Sequence, residues 1–332
     1  SGVPILLLMF TLSVETCYLR ERYPQSAFPA WQAEAAEVQA CLVRRLDSLS
    51  LSDAEKAVLA TLTVGYRQAM RREVRQSFAA AGVAHVLAVS GFHVAIVCGF
   101  LSCLTAFLRR WGWGRWVRYL LLMGGLWGFA FLTGLSPSAV RASLMWTFYL
   151  TGKHFVQQVD SLNTLAAAAF CMLVYRPAFL FDVGFQLSFL AVGFILAWLP
   201  LFRRILLVRN PLVAYPWNSL LVALAAQIGT VGLTLYYFRQ ASLLFWLTCL
   251  PISVIATCLL PLTWVWLCLP VESGVAAIVQ ACMEWLAHAL MDGVERCAAI
   301  PFATVQWSCS GIEVVLIYAL FGLGWMLLDK KS

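Results

Sequence analysis

Apolar residues in this chain gather into long blocks interrupted by single polar positions, and the blocks have the length of membrane spans. A membrane-crossing helix needs about 20 apolar residues, within a range of about 17–25. Windows free of Asp, Glu, Lys and Arg fall at Val86–Leu108, Tyr119–Val140, Ala142–Gly152, Ser161–Tyr175, Val183–Phe202, Asn210–Phe238, Gln240–Val271 and Val314–Leu328. They predict seven to nine spans, several of them short, in an all-α polytopic transmembrane helical bundle. Breaks at membrane depth are tolerated only where protein or water surrounds the backbone. The clearest is Gly134-Leu-Ser-Pro-Ser138, with Pro251 and Pro261 as further candidates.

Ahead of these windows the pattern changes. Val38, Leu42 and Leu46, then Val58, Leu59, Leu62 and Met70, recur near helical spacing among Glu34, Glu37, Arg44, Arg45, Lys56, Arg67 and Arg71. This predicts amphipathic helices that lie in the interface or cap the bundle. Three regions follow: an apolar N-terminal segment (1–20), amphipathic approach helices (21–82) and a transmembrane domain (83–332). Residues 273–300 are mixed in character. Glu284, His288, Asp292 and Glu295 share one face of a helix there, so the segment either spans or lies at the surface. A metal site at the Glu284/His288 spacing is conceivable, with a solvated polar face as the simpler reading.

Composition moves this picture further from a soluble protein. Of 332 residues, 62% are hydrophobic and only 12% charged, against roughly 45–50% and about 25% for ordinary soluble domains. Net charge +7 is weak support for nucleic acid, because basic residues in such a chain first report topology. Arg109, Arg110, Arg115 and Arg118, then Lys153, then Arg203, Arg204 and Arg209, and finally Lys330 and Lys331 fall on one side if spans alternate. That side is cytoplasmic on the positive-inside rule; Arg67, Arg71, Arg72 and Arg75 count against it. The cysteines, among them Cys98, Cys103, Cys171, Cys249 and Cys258, sit in apolar runs without metal spacing and read as small buried hydrophobes. No cofactor or metal is implied. A start at Ser1 without Met reads as a piece of something longer.

Three constellations carry the candidate chemistry. The first is His85-Val-Leu-Ala-Val-Ser90-Gly91-Phe-His93, where Ser90 and His93 are neighbours at i, i+3 and Gly91 allows another backbone close. Ionisable groups inside spans are costly and mark function by default; the plain alternative is a His85 at the interface and a His93 bonded to a neighbouring helix. A Ser/His pair also raises an intramembrane serine hydrolase, though i, i+3 spacing supplies no oxyanion hole. In the second, Gly134-Leu-Ser136-Pro-Ser138-Ala-Val-Arg141, a turn exposes two hydroxyls ahead of an arginine that must snorkel, pair or face water. The third is Phe181-Asp182-Val-Gly-Phe-Gln186-Leu-Ser188: Asp182 caps the next helix, while Gln186 and Ser188, like Gln227 further on, join helices or line a path.

Taken together and in order, these stretches resemble one family, the ComEC competence proteins. Ala81–His93 is similar to the family's G-L-x-H-L-L-A-I-S-G-L-H, and Thr133-Gly-Leu-Ser-Pro-Ser-Ala-Val-Arg-Ala142 and Pro177–Ala191 to two further family stretches. The resemblance covers roughly residues 55–330. Departures are Tyr66 where the family often has an acidic residue, and Thr248-Cys249-Leu-Pro251 where an Asn is common.

The resemblance implies a multi-pass protein of the bacterial inner membrane whose transmembrane domain passes single-stranded DNA during natural transformation, moving its substrate without transforming it. Implied partners are the DNA strand, the lipid bilayer, DNA-uptake machinery proteins and the family's flanking domains. Those are an oligonucleotide-binding-like domain before this region and, in many members, a β-lactamase-like domain after it; neither is in these residues. A conductor of phosphates must let go, and phosphate contacts dominate affinity, so sparse charge in the spans fits. Residues expected to line the path or hold its helices are His85, Ser90, Gly91, His93, Ser136, Ser138, Arg141, Asp182, Gln186, Ser188 and Gln227. A hydrolase using Ser90 and His93 and a small-solute secondary transporter are the alternatives. The lack of an internal repeat weighs against the transporter.

Overall fold

The computed structural model describes residues 29–87, 90–155, 159–205, 211–242, 245–270, 273–300, 304–307 and 309–329. The N-terminal apolar segment and the terminal lysines lie outside them. Helices dominate: α1 (Pro29–Leu46), α2 (Asp53–Val64), α3 (Arg72–Ala80), α4 (Ala84–Leu87), α5 (Gly91–Leu104), α6 (Gly114–Leu132), α7 (Pro137–Phe155), α8 (Ser161–Tyr175), α9 (Val183–Ile205), α10 (Pro211–Phe238), α11 (Phe245–Cys268), α12 (Gly274–Ala298) and α13 (Gly311–Asp329). Single 3-10 turns cover Ala106–Arg110 and Pro177–Phe181. The short strands β1 (Gln240–Ser242) and β2 (Thr304–Gln306) pair antiparallel, with Gln240 opposite Gln306.

Among the described residues five helices are long and apolar enough to cross a membrane: Val183–Arg204, Pro216–Phe238, Thr248–Cys268 and Gly311–Leu328, which match expected windows, and Gly274–Ala298, with shorter apolar helices at Gly91–Leu104 and Ser161–Tyr175. The 273–300 segment therefore has the length of a span, despite its polar face. Pro251 and Pro261 do not break the backbone: α11 runs through both. Prolines are tolerated in apolar helices where neighbours re-satisfy the freed carbonyls. The break at Gly134–Ser138 is real. Gly134 and Leu135 both take positive φ (69° and 48°), and the chain closes α6 through bonds from Gly134 N to Phe131 O and from Leu135 N to Ala130 O. Leu135 is an L residue held in the left-handed region, a costly conformation, and its side chain is buried.

The largest buried cluster joins the amphipathic helices to the bundle. Leu46, Leu59, Leu62 and Phe78 pack with Ile252 and Trp266 of α11 and Met283 and Leu290 of α12. The apolar stripe foreseen in 31–80 thus faces α11 and α12, except Val38, which stays on the outside. A second cluster forms around Val94, Leu126, Phe129, Leu135 and Ala139, and a third around Trp198, Leu201 and Ala225 with Phe321 and Trp325 of α13. Close approach of α9 and α10 depends on Gly229, where a Cβ would lie 2.7 Å from that of Phe194. Tyr318 Oη donates to Gly229 O (2.8 Å), and Trp325 Nε1 to Ala197 O (3.1 Å), docking α13 on the pair. Cys98 and Cys249 are buried as expected, but Cys103, Cys171 and Cys258 face outward from the bundle. Aliphatic and thiol side chains are equally at home against lipid, so apolar surroundings in sequence do not select the inner face of a span.

The start of α2 is tied to α12. Ser52 Oγ accepts from Glu55 N (3.3 Å), Ser52 N donates back to the Glu55 carboxylate (2.9 Å), and His288 of α12 bonds the other Glu55 oxygen. Beside it, Glu284 accepts from Ser50 N and Gln280 Nε2, both at 2.9 Å. The polar face of α12 is thus partly a docking edge, not simply solvated. Burial pushes the Glu55 carboxyl up, but the hydrogen bonds from Ser52 and His288 outweigh it and hold the group below its ordinary 4.5. A carboxylate so depressed stabilises the fold above its unfolded pKa and loses that contribution as pH falls through the folded one. Glu55→Gln is expected to lower stability by about 1 kcal/mol, the size of a lost helix cap. Melting in detergent should show the full difference at neutral pH and none once the pH is well below 4.5.

Candidate functional site

Arg141 and Asp182 anchor the polar interior. Arg141 sits one turn into α7, only 7% of its side chain is exposed, and Nη1 lies 3.3 Å from Asp182 Oδ1. Of the three fates open to this arginine, pairing is the one realised. The same Asp182 oxygen accepts from Phe185 N at 2.7 Å and so caps α9, as its position before the span predicts. Gly184 makes room for this. A Cβ there would lie 2.7 Å from Arg141 Nη2 and 3.1 Å from Asp182 Oδ1, so any larger residue pushes on the pair. Asp182 keeps 49% of its side chain exposed, while Arg141 Nε is buried with no partner among the described residues.

From this pair the polar contacts run on toward α10. Gln186, one turn after Asp182, donates from Nε2 to Leu180 O (2.9 Å) and accepts from Tyr237 Oη (3.1 Å) at the end of α10. Gln186 therefore clamps the 3-10 turn, α9 and α10 together.

On the other side, the start of α5 meets the Gly134–Ser138 turn. Val94, next to His93, shares a buried cluster with Leu135 and Ala139. Ser90 caps α5 through His93: Nδ1 lies 3.3 Å from Ser90 N and 3.1 Å from Ser90 Oγ. An Nδ1 that accepts from the backbone puts the ring proton on Nε2, and that atom is fully buried with no partner among the described residues. Ser136 Oγ, at the start of α7, is likewise buried and unpartnered. The Ser90–His93 pair thus closes a helix cap. A catalytic serine and base would need a third group orienting the base, and no such group bonds the His93 ring among the described residues.

Other candidates fall elsewhere. His85 is exposed on α4, with Nε2 3.7 Å from Cys249 Sγ of α11. Thr248 Oγ1 donates to Ala81 O at 2.6 Å, so polar contacts occupy the very place where the family's Asn is replaced. Gly91 does not admit a close neighbour: nothing lies within 4 Å of where its Cβ would be. Its value at the first position after the Ser90 cap is local. Ser138 lies one turn before Arg141, whereas Ser188 is turned about 200° from Gln186 around α9. Gln227 sits ten residues before Tyr237, about 15 Å away along α10. A groove of about 260 Å³ between α5, α6 and α11 has walls of Ile96, Phe100, Gly128, Phe129 and Trp264 and contains none of the candidates.

Gly184, Tyr237 and Leu135 were missed in the sequence. Tyr237 reads as an ordinary interfacial aromatic; only its position opposite Gln186 makes it a partner. For Leu135 the Gly-Leu-Ser-Pro string announces a turn, but not that the leucine takes the strained conformation.

These features define a polytopic helical membrane protein with polar contacts at the ends of several of its helices. The chain belongs to the Competence protein family, whose model matches residues 62–331. It is 32% identical over 187 residues to ComE operon protein 3 of Bacillus subtilis, 56% of this chain and 23% of that protein. It is 33% identical over 161 residues to an uncharacterized protein of Aquifex aeolicus, 48% of this chain and 35% of that one. A third relative, uncharacterized protein YcaI of Escherichia coli, is 29% identical over 150 residues, 43% of this chain and 19% of that one. The chain thus spans between a fifth and about a third of the length of these relatives. No solved structure matches.

Asp182→Asn keeps a capping acceptor but leaves Arg141 buried without a counter-charge. Breaking a buried pair this way costs about 3–5 kcal/mol when both partners are buried, and the half-exposed Asp182 reduces that to about 2 kcal/mol. The double variant Arg141→Met/Asp182→Asn is expected to recover most of the loss, and denaturation midpoints in detergent read both effects.

Proposed function

We propose that this chain forms the transmembrane path for single-stranded DNA in competence, in a bacterial inner membrane. Membership of the Competence protein family supports the setting. The observation that carries the reading is the set of polar groups at adjoining helix ends: the Ser90–His93 cap, the buried Ser136 hydroxyl, the Arg141–Asp182 pair and the Gln186–Tyr237 contact. His93, Ser136 and Arg141 hold buried polar atoms without partners among the described residues, and polar groups kept inside an apolar bundle are by default a mark of function. Single positive charge suits the task. A strand of phosphates is attracted by Arg141, yet Asp182 competes for the same guanidinium, so the strand is not retained. The strand, the bilayer, the uptake machinery and the flanking domains typical of the family are the partners on this reading.

The hydrolase alternative rests on the 3.1 Å separation of Ser90 Oγ and His93 Nδ1. It is disfavoured because that contact is spent on capping α5. The test is uptake of single-stranded DNA and transformation frequency in a competent host carrying the full-length protein. Ser136→Ala, Gln186→Leu and Gly184→Ala are each expected to lower uptake about tenfold at unchanged membrane abundance, with Ser90→Ala no more severe. Wild-type uptake by all three path variants overturns the proposal. Loss confined to Ser90→Ala favours the hydrolase.

A further inference from the structure

A second feature of the bundle lies outside the polar row. Residues 74–159 contain no Asp or Glu, yet Arg109, Arg110, Arg115 and Arg118 crowd the junction of α5 and α6. Among the described residues none of the four makes an ion pair. Arg118 Nη2 reaches across to Ser102 O of α5 at 3.4 Å, its like-charged neighbour is Arg109, and its Nε is buried without a partner. Four cations without their own acids invite an anion from outside the chain.

The surroundings say which kind. Phe107, Trp111, Trp113 and Trp116 are exposed at the same junction, with the Trp111 and Trp113 rings stacked 6.2 Å apart. Exposed tryptophans among arginines mark the level of lipid headgroups. The far end of α7 joins them: His154 stacks on Tyr119 and meets Trp116 edge-on, which brings Lys153 to the same rim, where the charge pattern expects it. Below this rim opens the apolar groove between α5, α6 and α11. Arg118, Gly125 and Leu132 recur every seven residues on one stripe of α6, and Gly125 and Leu132 are groove walls. Gly125 lies about 10 Å below Arg118 along the helix. Leu101, beside the carbonyl that Arg118 binds, is the facing wall.

We infer that this groove is a binding site for an anionic phospholipid, one acyl chain lying along Gly125, Gly128, Leu101 and Trp264 and the phosphodiester held by Arg109 and Arg118. Guanidinium groups bind phosphate through paired hydrogen bonds, and basic pockets at helix ends hold anionic headgroups. A nucleic-acid strand carries the same phosphates but no apolar tail, so it leaves the groove wall unused.

The test is native mass spectrometry of the purified full chain with phosphatidylglycerol and phosphatidylcholine of identical acyl chains, and an oligothymidylate as competitor. The wild type is expected to retain phosphatidylglycerol at least tenfold better. Arg109→Gln, at an exposed position, should cut that preference severalfold, and Arg109→Gln/Arg118→Gln should abolish it. Gly128 lines the groove and has nothing within 4 Å of where its Cβ would be, so Gly128→Leu has open space to enter the groove and is expected to lower retention of both lipids about fivefold at an unchanged melting temperature. Equal retention of the two lipids by the wild type overturns the site, as does undiminished phosphatidylglycerol on Gly128→Leu. Displacement of the lipid by oligothymidylate overturns it too, and assigns the arginines to a nucleic-acid strand.

Discussion

A guanidinium buried among apolar helices must find an anion, and the contact between Arg141 and Asp182 organises this molecule around that need. The pair cannot form unless α7 and the start of α9 lie side by side, although 40 residues separate the two side chains. It also needs Gly184, since a methyl group there occupies the guanidinium's place. Asp182 performs two tasks with one oxygen, capping α9 and neutralising Arg141. Because the carboxylate is half exposed and the guanidinium is not, the pair is asymmetric: the anion can be hydrated where it stands, and the cation cannot. On the proposed function, such an arrangement lets another anion approach Arg141 by exchange, without stranding a bare charge.

The remaining polar groups obey the same constraint with smaller stakes. Backbone ends packed among apolar helices must be satisfied within the protein. The Gly134–Ser138 turn does so by closing α6 onto its own carbonyls, with Leu135 held in an unfavourable conformation to achieve it. The start of α5 does so with a histidine in place of the usual acidic capping partner, which leaves one ring nitrogen buried with no partner among the described residues. Unsatisfied atoms at His93, Ser136 and Arg141 lie along adjoining elements. Buried polar atoms without partners are uncommon in native structures and call for an explanation. On the proposed function, passage of a polar substrate supplies one.

Charge is distributed unevenly for a physical reason. Inside the bundle it is sparse and paired. At the α5–α6 rim it is dense, without ion pairs among the described residues, and bordered by tryptophans. The amphipathic helices α1 to α3 avoid both situations by burying their apolar stripe on α11 and α12 and pairing Glu55 with His288. These are the same rules of solvation acting at different depths. A lone interior charge costs too much to leave unpaired, whereas a rim charge can borrow its counter-ion from the headgroup layer.

Much of this was legible in residue order. Charge-free windows located four of the five long apolar helices found among the described residues, because only continuous apolar length can pay for crossing lipid, whereas the charged segment Gly274–Ala298 stayed undecided. Gly134-Leu-Ser-Pro announced its turn, Asp182 its cap, and the 31–80 stripe its amphipathic helices, since each depends on local spacing. Pro251 and Pro261 misled, because whether a proline breaks a helix rests on its neighbours. Gly91 misled as well: a glycine permits close approach without requiring it. What depends on contacts distant in sequence became visible only in the folded chain. Arg141 finds Asp182, Gln186 finds Tyr237, His85 lies against Cys249, and Gly125 and Gly128 become the wall of a groove. The sequence by itself determined which segments are apolar enough to enter a membrane, because the transfer energy of a segment is a sum over its own residues. Tertiary structure alone decided which polar groups face one another, because pairing energies depend on distances that composition and spacing do not contain.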